Sequence, residues 1–146
     1  MSSSDQIGVT ILSRLSDALR LENASGFKIG HVYDLCSNSS LKFGSLPTAE
    51  RLEEVLSSEH TDTGTLTLLF CDRYSTEIIL PGGSNWAFIK PKYGHAIVNV
   101  ADSLQASSGG VLRSCLHRIN QPSPGAADRL CLAHYLRPGK STALLQ

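Results

Sequence analysis

The sequence predicts a mainly β domain, an antiparallel sandwich or jelly roll, behind one N-terminal helix. Apolar residues recur at three- and four-residue steps over residues 7–22, the spacing of one helix face. From His60 onward the period changes to two, and Thr, Val, Ile and Leu dominate short runs separated by turn residues. The 146 residues suffice for one hydrophobic core but not for two, so we predict a single domain over 1–146.

The first part of the chain is predicted to be a helical lead-in over 1–58. After the first helix, residues 23–26 include Asn, Ser and Gly and supply a stop. A short strand is expected near 40–43. Residues 48–58 then read as a second, short helix, whose first residue is a threonine that can cap it.

The remainder of the domain, 59–138, is predicted to be the β core. Its extended runs are short and are separated by turn signals such as Pro-Gly-Gly-Ser and Lys-Tyr-Gly. The runs lie at 60–70, 76–80, 85–91, 95–101, 111–119 and 129–138. Close spacing of this kind favours antiparallel strands over alternating strands and helices.

Composition argues against several classes of function. Thirteen basic and thirteen acidic residues cancel, so nothing indicates a nucleic acid or an anionic membrane as partner. The first residues, MSSSDQ, do not resemble a secretory signal. Cys36, Cys71, Cys115 and Cys131 form no CxxC pair, and we therefore expect reduced thiols in a cytoplasmic protein.

Three residues could form a metal site. His60 and Asp62 are two apart in an extended run, so their side chains would lie on the same face of a strand. A third ligand must come from another strand, and His117 lies in the later run LRSCLHRI. Two imidazoles and one carboxylate on one side of a metal form the facial triad of non-haem Fe(II) oxygenases. A His-x-Asp pair by itself is a weak signal, because most such pairs are a surface histidine and aspartate at a strand end.

Four blocks in this order, HTDTGTLTLLF, GHAIVNVADSL, LRSCLHRI and RLCLAHYLRP, carry a family resemblance. From about Ile7 to Pro138 the chain resembles the C-terminal half of isopenicillin N synthase-like Fe(II)/2-oxoglutarate-dependent oxygenases. The resemblance implies a double-stranded β-helix, which is a jelly roll, with Fe(2+) bound by His60, Asp62 and His117.

The resemblance also implies a cosubstrate site and a reaction. Arg129 stands where the family has the arginine that binds the far carboxylate of 2-oxoglutarate, and a guanidinium provides a bidentate partner that stays ionised. The implied partners are dioxygen and a small organic substrate, hydroxylated or desaturated, with ascorbate as a supporting reductant. Specialised metabolism is one setting that the family suggests.

The chain departs from the family pattern at three places. Cys131 replaces the serine of the usual Arg-x-Ser motif, and a thiol is a weak hydrogen-bond donor. Leu46 precedes Pro47 where the family usually has tyrosine. The large N-terminal region of the family is missing, so the chain is interpreted as truncated, with part of its sheet uncovered and prone to self-association.

These departures leave two other hypotheses open. One is a catalytically silent jelly roll that acts as a binding protein or is a non-functional remnant. The other is a metal-dependent enzyme that does not use 2-oxoglutarate. His31, His95 and His134 are not placed like ligands in any of these interpretations. Arg118, next to His117, is expected to point to the opposite face of its strand.

Overall fold

The backbone forms two four-stranded antiparallel sheets behind one long helix, in a computed structural model that describes residues 3–21, 26–32, 36–46, 57–80, 82–120, 129–140 and 142. The elements, in chain order, are α1 (Ser3–Ala18), a 3-10 turn (Gly26–Lys28), β1 (Ser40–Leu46), β2 (Ser57–His60), β3 (Leu66–Cys71), β4 (Thr76–Ile79), β5 (Trp86–Phe88), β6 (Ile97–Val100), α2 (Asp102–Ser107), β7 (His117–Ile119) and β8 (Arg129–Leu136). The larger sheet has the order β1-β8-β3-β6, and the smaller has the order β2-β7-β4-β5. The predicted jelly roll behind an N-terminal helix is confirmed.

The first helix covers the outer face of the larger sheet. Leu12 of α1 is fully buried against Leu66, Leu104 and Leu136, and Phe27 completes this cluster. Burial of each large apolar side chain contributes about 1.5–3 kcal/mol, so this contact holds the helix to the sheet. The helix itself needs such packing, because most of the stability of a helix in a protein comes from burial of its apolar face and little from helix propensity.

The predicted bounds of this helix were wrong, since it spans Ser3–Ala18 instead of 7–22. The reason is a C-terminal cap that the apolar spacing did not reveal. Arg20 adopts a left-handed backbone with a φ of 54°. Its N–H donates to Asp17 and the N–H of Leu21 donates to Ser16, which is the Schellman pattern that ends a helix.

The strands of the larger sheet alternate between two environments. On β8, Arg129, Cys131, Ala133 and Tyr135 line an internal cavity. The residues between them face outward, and Leu136 joins the core under α1. This period of two lets one strand serve the helix packing on one face and the cavity on the other.

Part of the outer face stays uncovered beyond the end of α1 among the described residues. Phe43 on edge strand β1 is 75% exposed and Leu130 on β8 is 61% exposed. We call the four large side chains here the outer apolar patch: Leu41, Phe43, Phe70 and Leu130. Phe43 and Phe70 share one cross-strand row, both opposite Leu132 of β8, so the patch is continuous across three strands.

Several other element predictions need correction. The strand near 40–43 exists but runs to Leu46. The long run 60–70 is split, because β2 ends at His60 and a bend precedes β3. Within 111–119 only His117–Ile119 is strand. Helix α2 was missed, since its six residues are too few for a helical period to show. The helix predicted over 48–58 lies outside the described residues up to 56, and its last two residues belong to β2.

Candidate metal centre

His60, Asp62 and His117 come together at one end of the cavity. His60 is the last residue of β2, and it pairs across the smaller sheet with His117, the first residue of β7. Asp62 follows two residues after the end of β2, just before the bend at 63–65 that leads to the larger sheet. Nε2 of His60 lies 3.9 Å from Oδ1 of Asp62, and Nε2 of His117 lies 3.8 Å from the same oxygen. One ligand atom from each residue lies within 4.8 Å of the others.

Both imidazoles present the same nitrogen to the cluster. Nδ1 of His60 lies 2.8 Å from the carbonyl oxygen of Ser58, and Nδ1 of His117 lies 3.0 Å from that of Cys115. A carbonyl oxygen can only accept, so each Nδ1 carries the proton and donates it. Each Nε2 therefore keeps a lone pair for a metal ion, and the backbone sets this tautomer.

The carboxylate of Asp62 is oriented by a residue that sequence reasoning missed. The amide nitrogen of Asn99, on β6, donates to Oδ2 of Asp62 at 3.0 Å. This leaves Oδ1 facing the two imidazoles. The backbone is also held, because the N–H of Asp102 donates to the carbonyl of Asp62 at 2.9 Å. The available signal was an inward amide inside the otherwise apolar run IVNV.

This donor set fits iron(II). Neutral imidazole and carboxylate are the ligands of mononuclear non-haem iron, and three of them on one side leave further positions open. Burial is uneven: the side chains of Asp62 and His117 are 7% and 12% exposed, whereas that of His60 is 43% exposed. The centre is therefore accessible from the His60 side and shielded on the Asp62 side.

The cavity next to this cluster has a volume of about 500 Å³. Aliphatic side chains form part of its walls, among them Leu69, Ile78, Ile89 and Ile97. A volume of this size is typical of a pocket for a small molecule. Tyr135 also faces the cavity, and burial, with a further contribution from the charge of Asp62, raises the pKa of its phenol.

Arg129 lines the same cavity at the start of β8 and is 6% exposed. Its Nε and Nη2 atoms have no hydrogen-bond partner among the described residues. A buried guanidinium that lacks an anion is costly, so the site is suited to a carboxylate. The thiol of Cys71 is a neighbour: burial raises its pKa, and the Arg129 charge opposes that rise.

Two of the three departures from the family pattern, at Leu46 and Cys131, lie near Arg129. Leu46 ends β1 and pairs with Arg129 across the sheet. Cys131 faces the cavity and pairs with Gly44 of β1. A Cβ atom at Gly44 would come within 2.7 Å of the Cys131 sulfur, so glycine is what permits this close approach.

The other residues weighed in the sequence lie elsewhere. Arg118 points away from the cavity, as expected, and its Nε donates to Glu77 at 2.6 Å while its guanidinium lies 4.3 Å above the ring of Trp86. His134 contacts Asp5 of α1 at 3.1 Å on the helix side of the sheet. His95 is exposed, and the Nε2 of His31 hydrogen-bonds the hydroxyl of Thr65. These positions agree with their exclusion from the metal site.

The fold and the His-Asp-His cluster together define a class of jelly-roll oxygenase, and comparison with known proteins identifies it. The family model described as the 2OG-Fe(II) oxygenase superfamily matches residues 17–138. The chain belongs to this superfamily, and the resemblance drawn from its sequence blocks is confirmed.

Named relatives and solved structures agree with this assignment. The chain is 37% identical over 142 residues to 2-oxoglutarate-dependent dioxygenase iboH of Amanita muscaria, covering 94% of this chain and 69% of that protein. It is 35% identical over 144 residues to 2-oxoglutarate-dependent dioxygenase FG08081 of Gibberella zeae, covering 97% of this chain and 43% of that protein. The crystal structure of the dioxygenase for auxin oxidation in rice has the same fold, with a TM-score of 0.80 at 23% identity over 97% of this chain and 46% of that one. The chain thus spans less than half the length of the latter two proteins.

No helix in the described ranges is long and apolar enough to cross a bilayer.

Proposed function

We propose that this chain is the jelly-roll domain of an Fe(II)- and 2-oxoglutarate-dependent dioxygenase that hydroxylates or desaturates a small organic molecule. The observation that carries the proposal is the convergence of His60, Asp62 and His117 within 4.8 Å beside a cavity of about 500 Å³. In this proposal the three residues hold Fe(2+), and Arg129 binds the far carboxylate of 2-oxoglutarate.

The residues around the cluster prepare it to hold the ion. The carbonyls of Ser58 and Cys115 keep both imidazoles in the tautomer that coordinates through Nε2. Asn99 keeps one oxygen of Asp62 occupied, so that the other is directed at the imidazoles. When bound, iron and 2-oxoglutarate together activate dioxygen to oxidise a C–H bond, and the cosubstrate is converted to succinate and carbon dioxide.

The cavity supplies binding and shielding. Arg129 pairs with the cosubstrate carboxylate and so fixes its direction. The aliphatic side chains that line the cavity disfavour water in the space between this arginine and the cluster. The exposed side of His60 leaves a path for the organic substrate to approach. The protein's role is therefore to orient two small molecules at one centre.

Two alternative functions rest on specific observations. The thiol of Cys131 lies in the cavity where the family has a serine hydroxyl. This favours a catalytically silent jelly roll, or a metal enzyme that does not use 2-oxoglutarate. Against them stands the buried Arg129, whose unsatisfied nitrogens call for an anionic cosubstrate.

One experiment separates the three functions. The purified chain is mixed with Fe(II), ascorbate and 2-oxoglutarate in air, and succinate is measured with and without each component. The oxygenase produces succinate that requires both metal and cosubstrate. A silent jelly roll binds metal and produces none. A different metal enzyme consumes oxygen without need of 2-oxoglutarate. His117→Ala is the negative control, and His95→Ala, on an exposed loop, is the matched histidine control.

We also propose a cytoplasmic setting, in which dioxygen and a small molecule are the partners and neither a nucleic acid nor a membrane takes part. All four cysteines are free, which suits a reducing compartment. The net charge of zero offers no electrostatic attraction to polyanions. Fractionation of the producing cells, followed by detection of the chain in each fraction, tests this location.

A further inference from the structure

The end of the cavity that is distant from the metal cluster holds a second set of polar groups. The cluster lies where β2 ends and the chain enters β3. At the other end of β3, Cys71 pairs with Cys131 near the start of β8, where Arg129 stands. Strand β4 begins there too, with Thr76, five residues after Cys71. The connectivity therefore places Thr76 towards the Arg129 end of the cavity, on the opposite sheet, where it pairs with Ile119, two residues beyond His117.

Both residues are buried and carry polar atoms without hydrogen-bond partners among the described residues. Thr76 is 4% exposed and Arg129 is 6% exposed, and both line the cavity. Among the described residues, Oγ1 of Thr76 has no hydrogen-bond partner, as is the case for Nε and Nη2 of Arg129. Buried polar atoms are nearly always paired, so two unpaired groups at one cavity end indicate a ligand that binds them both.

Other unpaired hydroxyls do not meet this description. The hydroxyl of Thr67 is also unpaired and lines the cavity. Its neighbours across the sheet are Asn99 and Tyr135, however, so it lies towards the metal cluster. Ser75 is buried and unpaired, but it is not part of the cavity wall. Cys131 is near Arg129, but its thiol is a poor donor. Thr76 is therefore the hydroxyl best placed to act beside Arg129.

We propose that the hydroxyl of Thr76 donates a hydrogen bond to the far carboxylate of 2-oxoglutarate while Arg129 pairs with the same group. This inference rests on the proposed function and adds to it a binding residue from the smaller sheet. Thr76 thereby supplies the neutral hydroxyl that Cys131 cannot. One carboxylate then satisfies the unpaired atoms of both residues, and the cosubstrate is held between the two sheets.

The test is a titration of 2-oxoglutarate into Mn(II)-loaded protein by calorimetry, which requires no turnover. Thr76→Val keeps the shape and removes the hydroxyl, and we expect it to weaken binding about tenfold or more, as for a lost hydrogen bond to a charged group. Thr76→Ser should bind like the wild type. Cys131→Ser should restore affinity in the Thr76→Val background, since it places a hydroxyl next to Arg129 again.

Two controls keep the result specific. Ser75→Ala removes a neighbouring buried, unpaired hydroxyl outside the cavity and should leave affinity unchanged. With 2-oxovalerate, in which a methyl group replaces the far carboxylate, the wild type and Thr76→Val should bind equally.

If the wild type binds 2-oxoglutarate and Thr76→Val binds it equally well, the role of Thr76 is refuted while the proposed function stands. If the wild type binds Mn(II) but no 2-oxoglutarate, the proposed function fails with it. Thermal unfolding and Mn(II) affinity of each variant exclude general damage.

Discussion

Replacing Asn99 by alanine removes the only side-chain hydrogen bond to Oδ2 of Asp62 among the described residues. The acceptor is a carboxylate whose side chain is 7% exposed, so water compensates poorly for the loss. A hydrogen bond to a charged group contributes about 1.5–3 kcal/mol. At about 1.4 kcal/mol per tenfold change, this corresponds to metal affinity weaker by about one to two orders of magnitude. Loss of an outer-sphere partner of a metal ligand commonly has an effect of about this size.

The measurement is the dissociation constant of Mn(II) or Fe(II), determined by calorimetry under anaerobic conditions. Val98→Ala is the matched control, because Val98 precedes Asn99 on the same strand and is 46% exposed. It should bind metal like the wild type. Thermal unfolding of the metal-free proteins shows whether each variant is folded. Wild-type affinity in a folded Asn99→Ala protein would refute the orienting role, and an equal loss in Val98→Ala would assign the effect to the strand as a whole.

Three further predictions concern other parts of the chain. Arg129→Ala should abolish binding of 2-oxoglutarate by calorimetry while Mn(II) binding stays nearly intact, and equal loss of both would make Arg129 a structural residue. Burial lowers the pKa of His31 from its ordinary value of 6.5, so below that pH the unfolded chain binds a proton that the native state resists. The free energy of unfolding should therefore fall as pH drops below 6.5. Urea unfolding measured about one pH unit above and below that value should show a smaller change of unfolding free energy with pH for His31→Gln than for the wild type. An equal change in both proteins would contradict this. The chain should self-associate through the outer apolar patch, and Phe43→Glu should shift sedimentation towards the monomer, whereas a wild type that is monomeric at all concentrations would disprove the contact.

The sequence was most informative where a pattern repeats or a ligand type is rare. The alternation of residue types every two positions revealed the strands. The combination of two histidines with Asp62 identified three residues whose ligand atoms lie within 4.8 Å of one another. Such a cluster could be anticipated because the side chains at positions 60 and 62 share a face in any extended segment. The position of His117 was less determined by spacing, and its assignment depended on the family resemblance.

What the sequence could not predict depends on contacts between distant segments. Asn99 is an ordinary amide until β6 lies beside Asp62, and Thr76 is an ordinary strand residue until its sheet faces Arg129. The end of α1 was misplaced because a non-glycine residue, Arg20, takes the left-handed cap. In each case the deciding interaction is tertiary or depends on a rare backbone conformation, and neither has a periodic signal.

The cluster joins two sheets, and this has a consequence for the lifetime of the protein. His60 and His117 belong to the smaller sheet, whereas Asp62 is tied to the larger one through Asn99 of β6. A divalent ion bound by all three residues links the two sheets in the folded protein, and the unfolded chain has no such binding site. Saturation at a hundred times the dissociation constant adds about 2.7 kcal/mol to the free energy of unfolding. In cells, a change of this size in the free energy of unfolding alters the abundance of a protein, because proteases remove unfolded chains. The level of this protein should therefore rise and fall with the supply of iron.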